Sequence, residues 1–298
     1  MKIKYTNKYN LPDAFMEAVL NDTYSKGDSK YSITELLKPP YMCQLERIHA
    51  DKLEIDISDL FFSLLGSGWH LLMENRIPDS PRYVKERRLF ESIDGINISG
   101  QVDLYDKKDE LLLDWKISAV WSFKLGKNDW IGQVNMLAWL LEKKGVKPKK
   151  LGIFGGMRNW ERSRARRRER DYPRIAIDWR TCKPWPKARQ EAYIKSRIGL
   201  HEEAQGNPVK IPSCNKEERW GRGPHWAVKR KQQKNALRGG VCFSEEAAKE
   251  FIDKLDDKKD VYIEYRPEVR RRCEENAFCL VSRFCPAYQE WLREHAHK

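Results

Sequence analysis

The sequence predicts an α/β protein built on a mixed central sheet flanked by helices. Three observations carry this. Helical patterns come first, a meander of three strand-like runs follows, and one strongly apolar helical stretch separates them from further strands. That order lacks the regular strand–helix alternation of a dinucleotide-binding fold, so parallel and antiparallel neighbours must mix. Neither GxGxxG nor GxxxxGK followed by Ser or Thr occurs, which removes the usual nucleotide-phosphate cradles.

The elements follow in order. Within 30–49, Ser32 and Glu35 have capping-box spacing and Pro39-Pro40 ends a short helix. Residues 56–75 predict a helix with an apolar face. Asp94-Gly95 is a turn signal joining strands over 82–92 and 95–105. The polar turn Asp106–Asp109 leads into a third strand over 110–115. Residues 129–143 predict an apolar helix stopped at Gly145. Strands at 149–157 and 174–179 and a long helix from about 185 to 202 complete a first domain, residues 1–205. Residues 206–298 are a basic, Cys-rich region, less regular, expected to be metal-stabilised, with helices at 244–257 and 286–296.

The chain has 298 residues, with 57 Lys and Arg against 44 Asp and Glu, a net charge of +13. An excess of this size favours a polyanionic partner, of which nucleic acid is the commonest soluble kind. Apolar runs such as Met136–Leu141 are too short to cross a bilayer, and the N-terminus has no apolar signal core. No membrane partner is expected, and the expected location is cytoplasmic. There the seven Cys are either reduced thiols or metal ligands.

The stretch Gly100–Lys116 holds three charges that packing does not require. Strand periodicity puts Asp114 and Lys116 on one face, and the neighbouring strand brings Asp103 to them. Two carboxylates suit a hard cation such as Mg²⁺ or Mn²⁺, and a lysine suits charge developing on a phosphate. On the hairpin alone, a turn cap and a surface ion pair explain the same residues. The surroundings add His70 and Glu74 on one helical face, Gly66 and Gly68 where close backbone approach is possible, and Gln133 opening the apolar helix.

Taken in order, G-x-x-x-H-x-x-x-E, G-x-V-D, L-L-D-x-K and Q-x-x-x-L-A-W-L-L resemble the PD-(D/E)XK nuclease superfamily. The branch resembled is RecB/Cas4-like, closest to the phage-type exonucleases. The resemblance implies a restriction-endonuclease-like core. It implies Asp103 and Asp114 as metal ligands, Lys116 as catalytic lysine, His70 as a further ligand, the Ile117 carbonyl completing the shell, and Gln133 holding the scissile region. The tyrosine usual in the branch four residues after that glutamine is Leu137 here.

Seven Arg lie between 158 and 170. A solvated loop explains them; beside a nuclease core, Arg158, Arg162, Arg164, Arg166, Arg167 and Arg168 are equally expected to track phosphates. Cys273, Cys279 and Cys285 recur at C-x5-C-x5-C, which is not zinc-finger spacing. The resemblance implies a 4Fe–4S cluster, with Zn²⁺ as the alternative, and Cys214 as fourth ligand in preference to Cys43. The expected activity is a Mg²⁺- or Mn²⁺-dependent deoxyribonuclease, an exonuclease of phage-type recombination or replication in the host cytoplasm, working on DNA beside other such proteins. A non-catalytic nucleic-acid-binding protein and a structure-specific endonuclease or resolvase are the alternatives.

Overall fold

A computed structural model describes residues 3–21, 24–206, 211–274 and 278–295. Its class is mixed α/β with a mixed central sheet, as the sequence order predicts. The chain divides into two units, Met1–Gln44 with Glu54–Ile211, and Leu45–Leu53 with Pro212–Lys298. The sequence boundary near 205 therefore falls at 211, and the short segment 45–53 joins the second unit. No helix among the described residues is long and apolar enough to cross a membrane.

The first unit opens with β1 (Lys4–Thr6), α1 (Asp13–Leu20), β2 (Tyr31–Ser32) and α2 (Ile33–Leu37), and α3 (Pro40–Ile48) follows. Ser32 and Glu35 form the expected capping box at the start of α2. After β3 (Glu54–Asp56) comes α4 (Phe61–Arg76), then β4 (Tyr83–Ile93), β5 (Ile96–Asp106) and β6 (Leu111–Ser118). Positive φ at Asp94 and Gly95 makes the β4–β5 turn that this dipeptide favours. Next are α5 (Val120–Leu125), α6 (Asn128–Lys143), β7 (Lys150–Met157), α7 (Arg162–Arg166), β8 (Ile177–Cys182) and α8 (Lys187–Gly206).

The sheet runs β2-β5-β6-β7-β8, with β4 on the other edge of β5. The core lies under α6, where Val134–Leu141 are all buried. β6 and β7 are parallel, whereas β5–β6 and β7–β8 are antiparallel. One edge of β5 is shared by two partners, β2 at Ile98 and Ser99 and β6 from Leu104 to Asp106. Residues 100–103 lie in the gap between them. A Cβ at Gly100 would come to 2.5 Å from the Ile33 methyl, 2.8 Å from Leu137 and 2.9 Å from Leu140, so any larger residue there must push these core methyls aside.

Two expectations need correction. The fifth strand begins at Ile177, not 174, because pairing with β7 starts there, while Arg174 Nη1 instead donates to the Ala165 carbonyl at 3.0 Å. The helix expected over 56–75 begins only at Phe61, after a 3-10 turn at Ile57–Leu60, and half-buries Trp69 and Met73 while Phe61, Leu71 and Leu72 stay exposed. A Cβ at Gly66 or Gly68 would meet nothing within 4 Å, and Gly66 lines the cleft described below.

The second unit holds β9 (Gly221–Arg222), β10 (His225–Arg230), β11 (Val241–Cys242), α9 (Glu245–Asp253), β12 (Val261–Arg266), β13 (Val269–Arg270), α10 (Arg271–Glu274) and α11 (Pro286–His295). The region expected to be irregular thus contains a sheet of order β11-β10-β12. Its small core is Val228, Cys242 and Ala248, with Trp226, Phe251 and Ile263 against them.

Candidate active site

The gap in β5 forms the floor of a cleft of about 780 Å³ lined by Gly100, Gln101, Asp103, Lys116, His70 and Gln133. The β5–β6 ladder stops at Leu104–Leu113. One step beyond, Trp115 N–H donates to Asp103 Oδ2 at 2.7 Å instead of to a strand carbonyl. This bond fixes the carboxylate and turns Oδ1 toward α4, where it lies 3.5 Å from His70 Nδ1.

A third donor completes the group. Glu86 Oε1 is also 3.5 Å from His70 Nδ1. One ligand atom each from His70, Glu86 and Asp103 lie within 4.8 Å of one another. The sequence reading missed Glu86, because Lys-Glu-Arg-Arg looks like an exposed strand. Its signal was the hairpin register. Counting outward from Ile93 opposite Ile96 brings Glu86 opposite Asp103, where the ladder skips one pair between Lys85–Leu104 and Arg87–Val102. Glu86 has φ +43° in mid-strand. Such a left-handed residue costs about 1–3 kcal/mol and persists where the surroundings hold it, commonly at functional sites.

Asp114 and Lys116 share a face of β6 as expected, and Lys116 Nζ is 2.5 Å from Asp114 Oδ2. Trp115 points away and is buried against Phe154, ring centroids 5.6 Å apart. Asp114 is fully buried and stands outside the three-residue group. Burial is the largest influence on its carboxyl, and with the charge of Asp103 it outweighs Lys116 and pushes the pKa up to about 6. Burial acts the other way on His70, disfavouring imidazolium. Hydrogen bonding and charge from Asp103 and Glu86 overcome it and hold the pKa up to about 10. The protonated imidazole thus supplies the positive charge that two facing carboxylates require.

The remaining expected residues fall as follows. Gln133 and Glu74 line the cleft with His70, and Leu137 is core. Ile117 lies opposite Gly156 in the β6–β7 ladder. The arginine run follows β7, includes α7, and is tied to the end of β6, where Arg158 N–H donates to the Ser118 carbonyl at 3.0 Å. Arg164 and Arg167 are spent on Glu169, at 2.7 and 2.8 Å. Arg158 stacks on Phe62 at 3.8 Å. Arg162, Arg166 and Arg168 are exposed and form no ion pair among the described residues.

In the second unit, Cys214, Cys273, Cys279 and Cys285 are close enough to disturb one another's ionisation. Burial, then Glu218, then the other three cysteines push the Cys214 thiol up to about 12. Burial with Cys279 and Cys285 raises Cys273 to about 11. No three of these sulfurs lie within 4.8 Å of one another.

No family model and no curated protein matches the chain. Among solved structures, the crystal structure of SSO0001 matches at 14% identity and a TM-score of 0.43, over 62% of this chain and 84% of that one. A phage-related exonuclease from Haemophilus somnus 129PT matches at 12% identity and a TM-score of 0.28, over 64% of this chain and 79% of that one. Similarities this low leave the chemistry to be argued from the site itself.

Proposed function

We propose that the protein is a divalent-metal-dependent deoxyribonuclease, acting as an exonuclease in phage-type recombination or replication. The observation that carries this reading is the convergence of His70, Glu86 and Asp103 in a cleft that also presents Lys116. The donor set fits a cation. Asp114 Oδ1 is buried without a hydrogen bond, and Glu86 Oε1 has only the long 3.5 Å contact to His70, a costly state that a bound ion would relieve. Two carboxylates and an imidazole suit Mn²⁺ or Mg²⁺. His70, Glu86 and Asp103 would hold it, with Asp114 and the Ile117 carbonyl as the further donors the family resemblance implies.

When bound, the cation supplies Lewis acidity toward a phosphoryl oxygen. Lys116 offsets negative charge developing on the phosphate and is kept in place by Asp114. Gln133, on the first turns of α6, orients the strand in the cleft. Arg162, Arg166 and Arg168 carry exposed charge to the backbone beyond it. In the second unit, Cys214, Cys273, Cys279 and Cys285 would hold an iron–sulfur cluster or Zn²⁺, as the family resemblance implies. Mutual proximity of four thiols, Cys279 buried and the others partly so, supports this, since burial makes each costly to ionise.

The test is incubation of end-labelled linear and closed circular DNA with Mg²⁺, Mn²⁺ or EDTA, using wild type, Asp103→Asn and Lys116→Ala. Metal-dependent loss of linear DNA only, absent in both variants, is expected. Cleavage of the circle would make the enzyme an endonuclease, and wild-type-like cleavage by the variants would place the chemistry elsewhere.

A further inference from the structure

The cleft contains a second cation that the metal group does not use. Among its described lining residues, the only Arg or Lys side chains are Lys116 and Arg88. Lys116 is neutralised by Asp114, whereas Arg88 forms no ion pair with a described carboxylate. Its guanidinium is nonetheless held firmly. Nη2 donates to Gln101 Oε1 at 2.9 Å and Nη1 donates to Ser99 Oγ at 3.3 Å. Its face lies 5.0 Å from the centre of the Tyr24 ring. Ser99 is fully buried and anchored in turn to Ser29 Oγ at 2.8 Å and to the Lys26 carbonyl at 3.0 Å. Two of five N–H donors are thus engaged, and the others have no described acceptor.

Gln101 ties this cation to the metal group. Its Nε2 donates to Glu86 Oε2 at 2.6 Å. Arg88 and a candidate metal ligand are therefore separated by the width of one amide, the scale of one internucleotide step. We infer that Arg88 is a phosphate subsite, holding the phosphate next to the one at His70, Glu86 and Asp103. A planar, pre-positioned guanidinium with free donors and no ion pair among the described residues suits a phosphate's oxygens. The phosphate is either a terminal monoester or an internal diester. This inference rests on the reading that a nucleic-acid backbone occupies the cleft.

The experiment measures binding without turnover, by fluorescence anisotropy in EDTA over a range of salt. The probes are a short single-stranded oligonucleotide with a 5′-phosphate, a 3′-phosphate or hydroxyls at both ends, and a circularised form. Proteins are wild type, Arg88→Ala, Arg88→Gln and Arg88→Lys, each checked by thermal melting. Arg88→Ala and Arg88→Gln should bind about tenfold or more weakly, with a salt slope shallower by about 0.7, the release expected for one phosphate on a single strand. Arg88→Lys should restore the slope but only part of the affinity, because the fork is lost. A loss confined to one phosphorylated end identifies a terminal monoester; a loss shared by the circle identifies an internal diester. Wild type that binds with folded Arg88→Ala and Arg88→Gln unchanged in affinity and slope overturns the subsite alone. Wild type that neither binds nor cleaves overturns both this inference and the nuclease reading.

Discussion

Replacing Asp114 by Asn in metal-free protein separates a residue poised for a cation from one that merely holds the sheet together. Asp114 has no exposed surface. Burial, helped by Asp103 and opposed by Lys116, lifts its carboxyl from 3.8 to about 6. A carboxyl whose pKa rises on folding supports the fold while protonated. That support is complete below pH 3.8 and is lost as pH rises through about 6. At 1.36 kcal/mol per pH unit, ionised Asp114 costs the metal-free fold about 3 kcal/mol at pH 8. Asn keeps the volume and removes the charge. In EDTA at pH 8 the variant should resist urea better than wild type, by up to about 3 kcal/mol, a large share of a typical domain's stability. The advantage should vanish near pH 4. Hydrogen exchange of β6 amides reads this locally, apart from the second unit. Adding Mn²⁺ should reverse the order, because wild type gains binding energy that the variant forgoes. A variant less stable than wild type at pH 8 in EDTA would refute the reasoning. It would mean that the ion pair with Lys116 outweighs burial and that Asp114 is structural.

Three further outcomes are expected. His70 is protonated at pH 8 and a metal ligand must be neutral, so Mn²⁺ uptake should release about one proton, measured by calorimetry in buffers of different ionisation enthalpy; His70→Ala should abolish the release. Replacing Arg162, Arg166 and Arg168 with Ala should flatten the salt dependence of DNA binding by about 2 in log–log slope, whereas replacing Arg164 and Arg167 should instead loosen the loop against protease, since Glu169 already holds them. Cys279→Ser and Cys214→Ser should each remove the iron or zinc found by elemental analysis and make the C-terminal unit protease-sensitive, while Cys43→Ser should retain the metal; retention by Cys214→Ser would displace Cys214 from the set.

The order of elements in the first unit, and several side chains of the cleft, were legible in the chain's local chemistry. Local chemistry suffices for those. The capping box of Ser32 and Glu35, the Asp94-Gly95 turn and the apolar face of α6 each act within a few residues. Strand alternation alone put Asp114 and Lys116 side by side. What needs counting across strands or measuring burial was readable only in the folded chain. Glu86 became a candidate ligand because the hairpin register sets it opposite Asp103 and a left-handed backbone lifts it out of the ladder. The arginine run divided into internal pairs and outward charge because Glu169 folds back onto two of its members. Arg88 stands out because it forms no ion pair among the described residues, Gln101 lying between it and Glu86. Periodicity reports which face a side chain takes. Whether that side chain meets a counter-charge or is sealed from water depends on segments far away in the chain, so no local pattern carries it.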